Sequence, residues 1–323
     1  MAIPNLQVEL AVSNMDLYPY TLGGAPNWGS NLEEMAPFLA QTGFRNYEIH
    51  PTRRVLEDVT QTVTIEDCRR AALLVGSMHQ TFNSGSGVFG RIADNRGVSR
   101  MDNSVLDMKA MQLSLARQVP TVVYPESLPE ALVPLVKLGL TAMQPKAEDY
   151  VFFYNRFEDL RPDVYLNAGL IEANDRMGVR YLCPDTVHSR RRGQHDEPIP
   201  DVEDVWGGQF ASGRVVQMHV SANRVDMKKR DPEIAALSHA EFDAFVSGNW
   251  QAARATQMGQ MIVEAINTWV PPEALDEPVL RMVAEIPPVP RNYRSSIVQH
   301  ARFAETLAEI ARDAGASPLM YGD

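Results

Sequence analysis

The chain has few cysteines, no long apolar run and a shortage of positive charge, and each lack narrows its function. Cys68 and Cys183 are the two cysteines among 323 residues. They make no disulfide framework, and Cys183 is expected as a small buried hydrophobe rather than a ligand or nucleophile. No stretch approaches the roughly 18 apolar residues that span a bilayer, and the opening MAIPNLQVEL lacks the basic residues and apolar core of a signal peptide. The expectation is a cytoplasmic protein with no membrane partner. With 30 Lys and Arg against 41 Asp and Glu, the formal net charge is -11. That field argues against a protein that coats nucleic acid, yet it leaves room for a local basic patch.

What is present is alternation. Hydrophobic residues make up 45% of the chain, enough for a deep core, and they fall into short β-rich runs separated by segments of helical period. The runs are Leu6 to Ser13, Phe44 to His50, Leu74 to Phe82, Thr121 to Ser127, Gly139 to Gln144, Val179 to Asp185, Arg214 to Ser221 and Val279 to Ile286. Between them lie helical patterns over Asn31 to Thr42, Thr64 to Leu73, Asn103 to Gln118, Pro162 to Met177, Gln251 to Trp269 and Tyr293 to Ala314. Thr64-x-x-Asp67 resembles a capping box, and Gly43 and Gly178 follow helical segments. No low-complexity linker divides the chain, so eight alternating units predict one domain, a (β/α)8 TIM barrel spanning residues 1–323.

In that fold, chemistry gathers at the C-terminal ends of the strands and in the loops just after them. The polar residues at those ends are Glu48 and His50, His79, Glu126, Gln144, Asp185 with His188, His219 and Glu285. A single His or Glu inside an apolar run is more often a hydrogen-bonded core residue than a ligand. Imidazoles and carboxylates converging on one mouth make a different case. That mixed donor set suits Mn²⁺, Zn²⁺, Co²⁺ or Fe²⁺, and suits Mg²⁺ less well.

The motifs YEIH, SMHQTF, PDTVH, VQMHVS and VAEI, in this order along the chain, resemble the xylose isomerase-like TIM barrels. That group includes sugar isomerases and epimerases, inosose dehydratases and endonuclease IV. The resemblance implies that Asp185, His219 and Glu285 bind a divalent metal, that His188 contacts substrate or a second metal, and that His79 faces substrate oxygens. One position departs from the pattern. Such isomerases place a Glu at the end of the fifth strand, where this chain has Gln144. An amide oxygen can still ligate a metal, but it is no general base. Glu285 then remains as a base, or Glu126 or Glu48 replaces the missing one; a shifted strand would bring in Glu148.

Three basic clusters follow strand ends: Arg53 and Arg54; Arg190, Arg191 and Arg192; and Arg224 with Lys228, Lys229 and Arg230. Each alone reads equally as a solvated loop, but together they favour an anionic small-molecule substrate gripped by guanidinium forks. The glycine-rich NSGSGVFG lacks the spacing of a nucleotide loop. Trp206, Trp250 and Trp269 sit in helical stretches as core or subunit contacts, and a homo-oligomer is compatible with that. The expected protein is a metal-dependent isomerase or epimerase acting on a small sugar, polyol or sugar acid. A metal-dependent phosphodiesterase and a non-catalytic ligand-binding barrel are the alternatives.

Overall fold

Strands and helices alternate along the chain as β1 (Gln7–Ser13), α1 (Leu32–Thr42), β2 (Asn46–Ile49), β3 (Val75–His79), β4 (Thr121–Val123), α2 (Val133–Leu138), β5 (Thr141–Met143), β6 (Tyr181–Leu182), α3 (Val202–Ala211), β7 (Gln217–Ser221), α4 (Pro232–Val246), α5 (Trp250–Ala255), α6 (Gln257–Thr268), β8 (Val279–Glu285), α7 (Tyr293–Asp313) and β9 (Ser317–Leu319). This computed structural model describes residues 6–13, 32–49, 75–79, 111–112, 114–115, 118–123, 132–143, 178–190, 202–222, 232–286 and 292–323. The expected helices at Thr64 to Leu73 and Pro162 to Met177, the capping box, Cys68 and the glycine-rich stretch lie outside those residues.

The strands pair in parallel in the order β6-β5-β4-β3-β2-β1-β8-β7. The seam between β6 and β7 is joined by two bridges, Leu182 to Val215 and Asp185 to His219, giving a nearly closed eight-stranded parallel barrel surrounded by helices. The (β/α)8 expectation holds. All eight expected strands are present among the described residues. The ninth strand was not expected. It lies beside the first half of β1, pairing Gln7 to Ser317 and Glu9 to Leu319, whereas β2 takes the second half of β1 from Ala11 onward.

Period-two alternation decides what each strand offers to either side. Val8, Leu10 and Val12 of β1, Met218 and Val220 of β7, and Leu280, Met282 and Ala284 of β8 join the apolar layer under the helices. That layer includes Phe38, Trp206, Phe210, Ile262 and Phe303. In α6 the buried Met258, Met261, Ile262, Ala265 and Ile266 form one helical stripe, and the Trp206 indole N–H of α3 donates to the Met261 carbonyl at 2.8 Å. Trp269 is also buried, donating to the Val215 carbonyl. The expected single helix from Gln251 to Trp269 is broken at Thr256. That residue is extended (φ -70, ψ 161), and its side chain caps α6 by accepting from the Gly259 amide. A Cβ at Gly259 would stand 2.3 Å from the Ala253 carbonyl oxygen, so only glycine permits so tight a junction.

Inside the barrel the two halves differ. Val122, Ala142, Cys183 and Val216 form a small apolar plug on the β4 to β7 side, and Cys183 is buried as expected. Elsewhere most inward positions are polar: Glu9, Glu48, Ser77, His79, Gln217, His219 and Ser221 are all buried, with Ala11 and Val283 between them. TIM-barrel interiors are usually packed with branched apolar side chains. Polar groups buried this way stand only if they satisfy one another.

At the N-terminal end of the barrel, Glu9 is satisfied by Arg281, whose Nε donates to its carboxylate, and by Arg45 at 3.6 Å. Burial alone would raise the Glu9 carboxyl, but these guanidinium groups and Asn46 hold it below the usual range. The polar groups farther along the strands form the site. Among the described residues no helix is long and apolar enough to cross a membrane.

Candidate metal centre

His219 is the hub of the site. It is fully buried on β7, and its two ring nitrogens face different acids. Nδ1 lies 3.4 Å from Glu285 Oε1 and 3.8 Å from Asp185 Oδ2. Nε2 lies 3.1 Å from Glu48 Oε2. Two triads can hold a metal through one ligand atom from each residue, with those atoms within 4.8 Å of one another: Asp185, His219 and Glu285, and Glu48, His79 and His219.

Local sequence places each donor. Asp185 and His219 are bridge partners across the seam, with the His219 amide donating to the Pro184 carbonyl at 2.8 Å and the Thr186 amide to the His219 carbonyl at 3.1 Å. The Val187 amide donates to Asp185 Oδ1 at 2.7 Å, which turns Oδ2 towards the imidazole. Glu285 ends β8, where Ser221 is its register partner on β7. Glu48 sits at a register shift between β2 and β3. The Asn46 amide packs so close to Gly76 there that a Cβ on Gly76 would be 2.2 Å from its oxygen.

The charge distribution favours a cation. Burial alone would strip the proton from His219, but Cys183, Glu48 and Glu285 outweigh it and hold the imidazole well above its usual range. Burial also pushes the Cys183 thiol up. Three carboxylates, Asp185, Glu48 and Glu285, are buried around this one imidazole, and buried charge of one sign is stable only where it is compensated. Ser221 makes the same point. Its Oγ lies 2.7 Å from Asp185 Oδ2 and 2.8 Å from Glu285 Oε2, so one hydroxyl, with one proton to donate, bridges the two carboxylates. The donor chemistry fits a divalent ion.

Glu48, expected at the substrate, is instead fully enclosed. Its Oε2 accepts from Gln217 Nε2 at 2.6 Å and Ser77 Oγ at 3.3 Å as well as facing His219. His79 is buried and stacks on His219, with ring centroids 5.8 Å apart and planes at 28°. Arg190, expected to grip substrate, is buried in a bidentate pair with Glu241 of α4, both bonds 2.9 Å. Its Nε donates to the Thr186 carbonyl and its Nη1 reaches Gln257. His188 opens the short 3-10 turn His188–Arg190, with its side chain outside the described set. Glu126, Gln144, Glu148, His50, Arg191, Arg192 and the other basic clusters also lie outside the described residues.

Ser77, Thr186, Gln217 and Ser221 were missed. Period two along VQMHVS was the available signal, since it puts Gln217 and Ser221 on the same face as His219.

No protein-family model matches the chain, and no curated protein is significantly similar to it. The barrel and its two buried triads are consistent with TIM-barrel metalloenzymes in general, sugar isomerases and epimerases among them.

Proposed function

We propose that the chain works as a single-domain, cytoplasmic, divalent-metal-dependent enzyme of the isomerase and epimerase kind. Its substrate would be a small sugar, polyol or sugar acid carrying a negative group. The observation that carries this reading is the convergence of Asp185, His219 and Glu285, from three sequence-distant strand ends, on one buried point. The mixed nitrogen and oxygen donors favour Mn²⁺, Zn²⁺, Co²⁺ or Fe²⁺ over Mg²⁺. Bound there, the ion would supply Lewis-acid polarisation of a substrate carbonyl or hydroxyl.

The remaining roles belong to the chain. Glu285 is 8% exposed while Asp185 and Glu48 are at 0%, so it is the carboxylate best placed to exchange a proton with a substrate entering from the mouth. Ser221, in hydrogen-bond reach of Glu285 Oε2, fixes that carboxylate. His188 and His79 are assigned to substrate oxygens, Arg191 and Arg192 to its anionic group, and Gln144 to an oxygen ligand, with Glu126 as a second proton-transfer group.

The test is uptake of solvent deuterium at the carbon next to the carbonyl, across a panel of keto-sugars, keto-sugar phosphates and sugar acids. The expected result is exchange that requires the divalent ion and is lost in Glu285→Gln. Exchange that persists in metal-stripped Glu285→Gln contradicts the reading. Phosphodiester cleavage without any exchange replaces it with the hydrolytic one.

A further inference from the structure

His219 belongs to both triads, yet one neutral imidazole has one lone pair to give to a metal. Which nitrogen offers it is fixed by what the other nitrogen does. Around Nε2 the answer is geometric. Glu48 Oε2 lies 2.6 Å from the Gln217 amide nitrogen, 3.3 Å from the Ser77 hydroxyl and 3.1 Å from Nε2. An oxygen that already accepts from an amide and a hydroxyl carries no proton of its own to offer, so Nε2 is the donor in its contact with Glu48. The Gln217 amide nitrogen also lies 3.4 Å from Nε2, but its short contact is the one to Glu48. The lone pair then falls on Nδ1, the nitrogen that faces Asp185 Oδ2 and Glu285 Oε1.

We infer that Glu48 is a positioning residue: by accepting the Nε2 proton of His219 it assigns the imidazole to the Asp185 and Glu285 side, so the two triads are alternatives that hold one ion between them. This rests on the metal reading above and goes beyond it, because it removes Glu48 from the substrate-contacting set and makes the second triad a support for the first. Seating an ion between Glu48 and His79 would require Nε2 to lose its proton. It would also turn Glu48 Oε2 away from Gln217 and Ser77. Filling both triads together would require an imidazolate bridge. Carboxylate support of a ligating histidine is a general device of metal sites, and its removal commonly weakens metal binding by about 10- to 100-fold.

Zn²⁺ titration of the full chain tests this, together with nitrogen-15 NMR of His219 in the Zn²⁺-loaded protein. Wild type should take one ion between the two triads, with a slowly exchanging proton on Nε2 and metal-shifted Nδ1. Glu48→Ala should weaken the ion by about 10- to 100-fold. Glu48→Gln, whose amide oxygen still accepts from Nε2, should restore most of that affinity, and Asp185→Asn should cost more than His79→Ala. An ion in each triad at once, Nε2 ligation, greater dependence on His79 than on Asp185, or an ion indifferent to Glu48 would each overturn the inference while leaving a metal protein. Zn²⁺ binding that is absent altogether would sink the metal reading and this inference with it.

Discussion

Asp185 and His219 are bridge partners at the seam of the barrel, held by the His219 amide on the Pro184 carbonyl and the Thr186 amide on the His219 carbonyl. Strand β6 is only two residues long, so the contact that closes the barrel also sets two proposed ligands side by side. Site geometry and barrel closure are therefore coupled, and a change that loosens the seam should disturb both.

Thr186 gives the most direct access to that coupling. Its Oγ1 accepts from the Ser221 amide at 3.0 Å and lies 3.2 Å from the Ser221 carbonyl, to which it donates. Thr186→Val keeps the shape and removes both bonds, leaving buried backbone groups unpaired. The expected cost is about 1–3 kcal/mol of folding stability in urea denaturation, together with weaker divalent-ion binding. A variant as stable as wild type, with unchanged ion affinity, would uncouple the seam from the site.

Arg190 and Glu241 form a buried pair at 2.9 Å, and Glu241 Oε1 also accepts from the Met258 amide. The pair ties the turn after β6 to α4 and α6. Breaking it with Arg190→Met strands a buried carboxylate and should destabilise by about 3–5 kcal/mol. The double change Arg190→Met with Glu241→Leu should recover a large part of that loss. If Arg190→Met instead folds normally and loses affinity for an anionic ligand, the side chain serves substrate rather than the fold.

His300 supplies the pH dependence. It is fully buried in α7, edge-on to Phe38 at 5.2 Å between centroids, with Nδ1 2.7 Å from the Ser296 carbonyl. Burial pushes its pKa down to about 4, against the opposing pull of backbone carbonyls. The folded value lies below the unfolded one near 6.5, so the unfolded chain takes up the proton first. Stability is whole above about pH 6.5 and declines as pH falls towards 4, reaching a loss of about 3 kcal/mol. His300→Gln should flatten the stability profile across that window. Identical slopes for variant and wild type would remove His300 as the cause.

Much of the barrel was legible because its strands are continuous apolar runs and its last helix carries a strong periodic stripe. Three helices were given no bounds, although Trp206 of α3 was placed in a helical stretch. In α4 the inner face includes buried Ser238 and Glu241, which break the apolar period; α3 carries Gly207 and Gly208, poor helix formers; and α2 spans only six residues. At the site, strand ends pointed to Asp185, His219 and Glu285 because alternation and position are sequence properties. The partner of a charged side chain is not. Arg190 stands beside Arg191 and Arg192 in sequence, and only the packing of α4 against the turn after β6 shows that its charge meets Glu241. Ser221 and Gln217 lay on the inward face of a motif already in view, yet nothing local marks a serine as the group between two carboxylates.

The central claim is that Asp185, His219 and Glu285 hold one divalent ion. Elemental analysis of chelator-free protein, reloaded with Mn²⁺ or Zn²⁺ and passed through a desalting column, tests it most directly. Wild type should retain about one ion per chain, in keeping with one complete ligand set, and the folded Asp185→Ala, His219→Ala and Glu285→Ala variants should retain far less. A triple variant that keeps the full stoichiometric ion would contradict the account.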